Sequence, residues 1–70
     1  MTRNYVDSSM ITSVGHDSDN SILEVEFKNG GSIWQYHGVS ENTYYEMLNG
    51  SVGKYFLANI KGQYSEQQVG

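Results

Sequence analysis

The sequence contains no cysteine and no proline. Without cysteine there can be no disulfide, zinc-thiolate centre or cysteine nucleophile. Association with other chains is therefore the expected source of support beyond the small core of a 70-residue chain. Without proline, glycine and asparagine are left to mark the turns. Basic residues are also scarce: four Lys and Arg stand against eight Asp and Glu, a net charge of −4. That balance argues against a protein that grips duplex nucleic acid by neutralising phosphates. No apolar run approaches the length of a membrane span, and "MTRNYVDSSMITS" has no apolar core of a leader, so the expectation is a soluble, cytoplasmic chain without membrane contact. No repeat, low-complexity tract or linker divides residues 1–70, which read as one domain with a core over about 6–64 and a polar, frayed tail over 65–70.

What the chain does have is aromatic weight: six Tyr, two Phe and one Trp. Rings bury a large area per residue and can close a small core that holds few Leu and Ile, so core filling is preferred over an aromatic binding platform. Aromatics left on the surface of so small a domain suit self-association.

The clearest strand is "ILEVEFK", where Leu23, Val25 and Phe27 alternate with Glu24, Glu26 and Lys28. One face should be buried, and the two glutamates should form a solvated, edge-protecting face. "SIWQYHGV" sets Trp34 and Tyr36 against Ile33, Gln35 and His37, and "SSMITSV" sets Met10, Thr12 and Val14 against Ile11 and Ser13. "HDSDNS" and "KNGGS" separate the three runs, which predicts an antiparallel meander. After Val39 the spacing becomes helical. Ser40 is placed as an N-cap, Glu41 lies in the first turn, and Val39 and Tyr44 hold the two staple positions. "NG" at Asn49 and Gly50 ends that helix. Ser51 then caps a second one with apolar residues at Val52, Tyr55, Phe56 and Ile60, and Gly62 stops it. The predicted fold is α+β: a three-stranded antiparallel sheet with two short C-terminal helices packed on one face, Trp34 and Tyr36 meeting the second helix.

The string "GSVGKY" places Gly, Ser and Lys together at a helix start, but it is not a phosphate loop. Only two residues separate the glycines, and Tyr55 follows the lysine where a Ser or Thr is needed. Ser51 as a cap, Gly53 as a close approach and Lys54 as a solvated charge account for the same residues. His16, Asp17, Asp19 and Asn20 are all metal-ligand types, yet the loop lacks the glycine and the bidentate glutamate of a calcium site, and Asp, Asn and Ser are what a hairpin turn prefers. Ser8, Ser9, His16, His37 and Asp17 supply the residue types of nucleophilic catalysis without a recognisable spacing. No catalytic residue, metal or cofactor is assigned. The residues singled out for contact with a ligand or partner are Ser51, Gly53, Lys54, Tyr55, Tyr36, Ser8 and Ser9.

The order of these motifs resembles the KTSC domain, a short module found alone in bacterial and phage proteins and at the C-terminus of some lysyl-tRNA synthetases. The likeness runs from "VDSSMITSVGHD" through "LEVEFKNGGSIWQYHGV" to "YYEMLNGSVGKYFLANIKGQY". Its most specific piece is a Ser-x-Gly-x-Tyr-Phe with an Ile four residues on and a Tyr four after that. His16 stands where the family usually has Tyr, Ser40 where it has Pro, and Leu57 where it commonly has Asn. The family carries no settled activity. The expectation is a small non-catalytic module that binds a protein partner or itself. The alternatives are a binder that holds or sequesters a nucleotide or other small anion in a bacterial or phage setting, and an RNA-associated accessory domain.

Overall fold

The computed structural model describes every residue from Met1 to Gly70. The alternating run 22–27 forms the central strand, β3 (Ile22–Phe27), with β2 (Ile11–Asp17) on one side and β4 (Ile33–His37) on the other, all antiparallel. Leu23 and Val25 are fully buried, as the alternation requires. Asp17 folds the first turn: its carboxylate accepts the amides of Asp19 and Asn20 and the side-chain amide of Asn20. Gly30 and Gly31, with φ of 81° and 67°, make the second in a conformation that a side chain would strain.

The sheet has five strands rather than the three expected. A two-residue strand, β1 (Asn4–Tyr5), pairs outside β2, and β5 (Ser65–Gln68) pairs outside β4, giving the order β1-β2-β3-β4-β5. The tail expected to fray is thus hydrogen-bonded to the sheet, with Gln67 opposite Gln35 and Glu66 opposite Tyr36. Both added strands are exposed along their length and carry no apolar alternation, so the signal that reveals a half-buried strand is missing from them. The alternation expected of β2 also fails at one point. A bulge between Ile11 and Ser13 leaves Thr12 without an opposite number, and Ile11 and Val14 consequently both face the core.

Ser40 caps α1 (Glu41–Leu48), its hydroxyl accepting the Thr43 amide at 3.2 Å, and Val39 and Tyr44 are buried together as a staple. Ser51 caps α2 (Val52–Tyr55), which runs into one π-helical turn, Phe56–Ile60, closed by the Lys61 amide on the Phe56 carbonyl at 2.9 Å. Val52, Phe56 and Ile60 point inward. Together with Ile11, Val14, Leu23, Val25, Tyr36 and Met47 they fill the single layer between helices and sheet. The Phe56 ring meets Phe27 and Tyr36 edge-on at centroid distances of 5.4 and 5.3 Å, which places the second helix on β4 as predicted. His16 stacks on Tyr44 at 5.3 Å while its Nε2 donates to the Val39 carbonyl at 2.6 Å. Its ring thereby ties β2 to the start of α1.

The opposite face of the sheet departs from the solvated surface expected of Glu24 and Glu26. β3 lies at the middle of the sheet and protects no edge, and Glu24 is buried at 7% exposure. The reason lies in the N-terminal segment. Gly15 has no side chain to hold that segment off, and a Cβ there would come within 2.5 Å of the Thr2 carbonyl oxygen. Arg3 therefore crosses β2, pairs with Glu24 and donates to the Ser13 hydroxyl, which in turn donates to Glu26 at 2.8 Å. Gln35 completes the Glu24 shell at 2.9 Å. Burial pushes the Glu24 pKa up, but the hydrogen bonds from Gln35 and Arg3 and the Arg3 charge outweigh it and hold the group below its ordinary 4.5.

Gly15→Ala is expected to displace the N-terminal segment and cost about 1–3 kcal/mol in urea denaturation, with loss of the Arg3 contacts. Because the Glu24 pKa is depressed by folding, its contribution is present above the unfolded value of 4.5 and is lost as pH falls below it. Stability measured from pH 7 downward should fall on this acid limb, and less steeply in Glu24→Gln than in the parent chain.

Candidate functional site

Five of the seven residues singled out in the sequence come together. Ser8 and Ser9, in the segment before β2, face Ser51, Gly53 and Lys54 at the start of α2 across a shallow groove of about 350 Å³ that Asp7, Met10 and Leu57 also line. Their jobs are unequal. The Ser8 hydroxyl accepts the amides of Met10 and Ile11, both at 3.2 Å, and so builds the turn that leads into β2. Gly53 lets this turn approach, since a Cβ there would lie 3.2 Å from the Ser8 hydroxyl. Ser51 accepts the Lys54 amide at 3.4 Å. Ser9 and Lys54 are the exposed polar groups that these structural duties leave free.

Tyr55 and Tyr36 do not join them. The Tyr55 hydroxyl donates to Glu46 on α1 at 3.0 Å, and burial and the Glu46 charge push its pKa up. Tyr36 is buried on β4, where burial first and the Glu66 carboxylate second push its hydroxyl up to about 12. It therefore stays a neutral phenol.

Tyr36 belongs instead to a second groove, of about 440 Å³, that adjoins the first along Met10 and Leu57. Phe27, Trp34 and Tyr36 come to it from the sheet, Phe56 and Leu57 from the π turn, and Asn29, Lys61 and Glu66 give it a polar margin. Its size lies within the range of about 300–1,000 Å³ usual for ligand sites, and its lining is the apolar one such sites favour. The sequence pattern holds one trace of it. Leu57 lies off the inward stripe of Val52, Phe56 and Ile60, and it is 53% exposed. An apolar residue on the wet side of a helix marks a surface that something else covers or an unneeded contact, and only the groove beside it distinguishes the two.

The KTSC domain family model matches residues 7–64. The chain belongs to the KTSC domain family. It is similar over 99% of its length, and over 97% of the other chain, to a KTSC domain protein from Yersinia pestis known from a crystal structure, with 37% identity and a TM-score of 0.93. The comparison with curated proteins gives no match. The α+β architecture with its antiparallel sheet and two helices is thus that of a KTSC domain. No helix of this KTSC domain is long and apolar enough to cross a membrane.

Ser8→Ala should cost about 1–2 kcal/mol, because two amides at the entry to β2 lose their acceptor. Ser9→Ala and Lys54→Ala, which change exposed groups, should stay within about 0.5 kcal/mol of the parent in the same thermal or urea denaturation.

Proposed function

We propose that this KTSC domain is a non-catalytic binding module that takes an apolar segment of a protein partner into the groove between the π turn and β4. The observation that supports this is the groove floored by the half-buried rings of Phe27 and Trp34 beside the buried Tyr36, walled by an exposed Leu57 and margined by one positive and one negative charge. Such a surface buries apolar area on contact while Lys61 and Glu66 set the orientation of what lies in it. The engagements of His16 and Ser8 support the non-catalytic reading. His16 is engaged with Val39 and Tyr44, and Ser8 with two amides.

A small anion is the second reading, and Lys54 with the free Ser9 hydroxyl in the first groove speaks for it. Against it, Asp7 lines the same groove, and the Lys54, Met10 and Ile11 amides already donate to Ser51 and Ser8. An RNA-associated role would rest on four basic side chains in a chain of net charge −4, and Arg3 is engaged by Glu24.

Parallel capture with the parent chain and with Leu57→Glu should return a protein that the parent retains and the variant loses by about tenfold or more, as expected when a charge enters an apolar contact. ATP, GTP and inorganic phosphate should leave Trp34 emission and Tm unchanged. A rise in Tm with one of them that disappears in Lys54→Ala would replace this reading with the anion-binding one.

A further inference from the structure

We infer that the free edge of β5 receives an extended segment of the partner protein as a sixth strand, with the segment's helix-side residues beside the aromatic groove; this rests on the groove reading above. The backbone of the last ladder carries the inference. Ile33 directs its polar groups at β5: its carbonyl accepts the Val69 and Gly70 amides at 2.8 and 3.1 Å, and its own amide donates to the Gly70 carbonyl at 3.2 Å. Along an antiparallel strand these groups alternate sides. With Gln35 opposite Gln67 and His37 opposite Ser65, it is Gln67 and Ser65 that bond β4. Glu66 and Gln68 then aim their amides and carbonyls away from the sheet. β5 is the last strand in the order and all four of its residues are exposed, so these groups have no partner in the chain.

The two edges of the sheet differ. At the other one, β1 offers only two residues, and Arg3 beside it folds back to Ser13 and Glu24. β5 has no such guard apart from the Glu66 charge.

The same alternation places Glu66 and Gln68 on the helix side, opposite Tyr36 and Trp34, where Glu66 forms the rim of the groove. A strand added along β5 sends every second side chain to that side. Its complement is a segment with a basic residue against Glu66 and, two positions away, an apolar one leaning on the groove. A second copy of this chain suits the edge less well. It brings a further −4 of charge, and four strand residues fall far short of the roughly 1,200–2,000 Å² that a stable interface buries.

Peptides selected from a random phage-displayed library on the full chain, then synthesised, provide the probe. Enriched peptides should alternate polar and apolar residues with a basic residue two places from the apolar anchor. Gln68→Pro removes an outward amide that β4 does not use. It should weaken their Kd by about tenfold, the scale of one lost hydrogen bond to a desolvated partner, while Gln68→Ala binds like the parent. Should Gln68→Pro fail to fold by circular dichroism, Glu66→Lys replaces it and should show the same loss for peptides carrying the basic residue. Loss in Leu57→Glu with none in Gln68→Pro would overturn strand addition and leave the groove reading intact. Failure to enrich any peptide, or peptides indifferent to both changes, would overturn both. A concentration-dependent dimer that Gln68→Pro dissolves in sedimentation equilibrium would assign the edge to a second copy instead.

Discussion

The Phe56 ring, pinned edge-on between Phe27 and Tyr36, decides where the helical layer sits on the sheet and therefore where it stops. Burying such a ring contributes about 1.5–3 kcal/mol, and each edge-on pair adds about 0.5–1.5 kcal/mol. Val52 and Ile60 follow it inward on the same helical face. With Phe56 committed between β3 and β4, the helical segment does not reach over β5, and Trp34 is left only partly covered. The open groove is the other side of that same constraint: the contact that seats the helix also uncovers the floor beside it.

Those parts of the fold that bury one face were legible in the residues. The alternation of Leu23, Val25 and Phe27, the Ser40 cap and the Val39–Tyr44 staple all have local causes, and the structure keeps each of them. The parts set by distant segments were not. β1 and β5 are held by ladders to strands that are already in place, so "NY" and "SEQQ" need no apolar alternation of their own. The burial of Glu24 depends on an arginine 21 residues earlier crossing over a glycine, which no spacing rule within β3 expresses. The Thr12 bulge likewise shows only as one apolar residue out of phase.

Around the candidate site the same division holds. Ser51, Gly53, Lys54, Ser8 and Ser9 do converge, yet three of the five are occupied in capping, approach and turn building, so their nearness reflects how the chain enters β2 and α2. The aromatic groove beside them draws on Phe27, Trp34, Leu57 and Glu66 from four separate elements. From the sequence, Tyr36 is singled out for contact and does line that surface, and Leu57, apolar on the outer side of its helix, marks it a second time.

Both outer strands lie beyond the segment matched by the family, since β1 ends before residue 7 and β5 begins after residue 64. The core aromatics and both helix caps, by contrast, fall inside it. The packing that makes the domain fold and the strand that borders its open edge are therefore written in different stretches of chain. Ser65, Gln67 and Gln68 are exposed, so substitutions there reshape the rim of the sheet from outside the core, while Glu66 is tied to the interior through the buried Tyr36 hydroxyl.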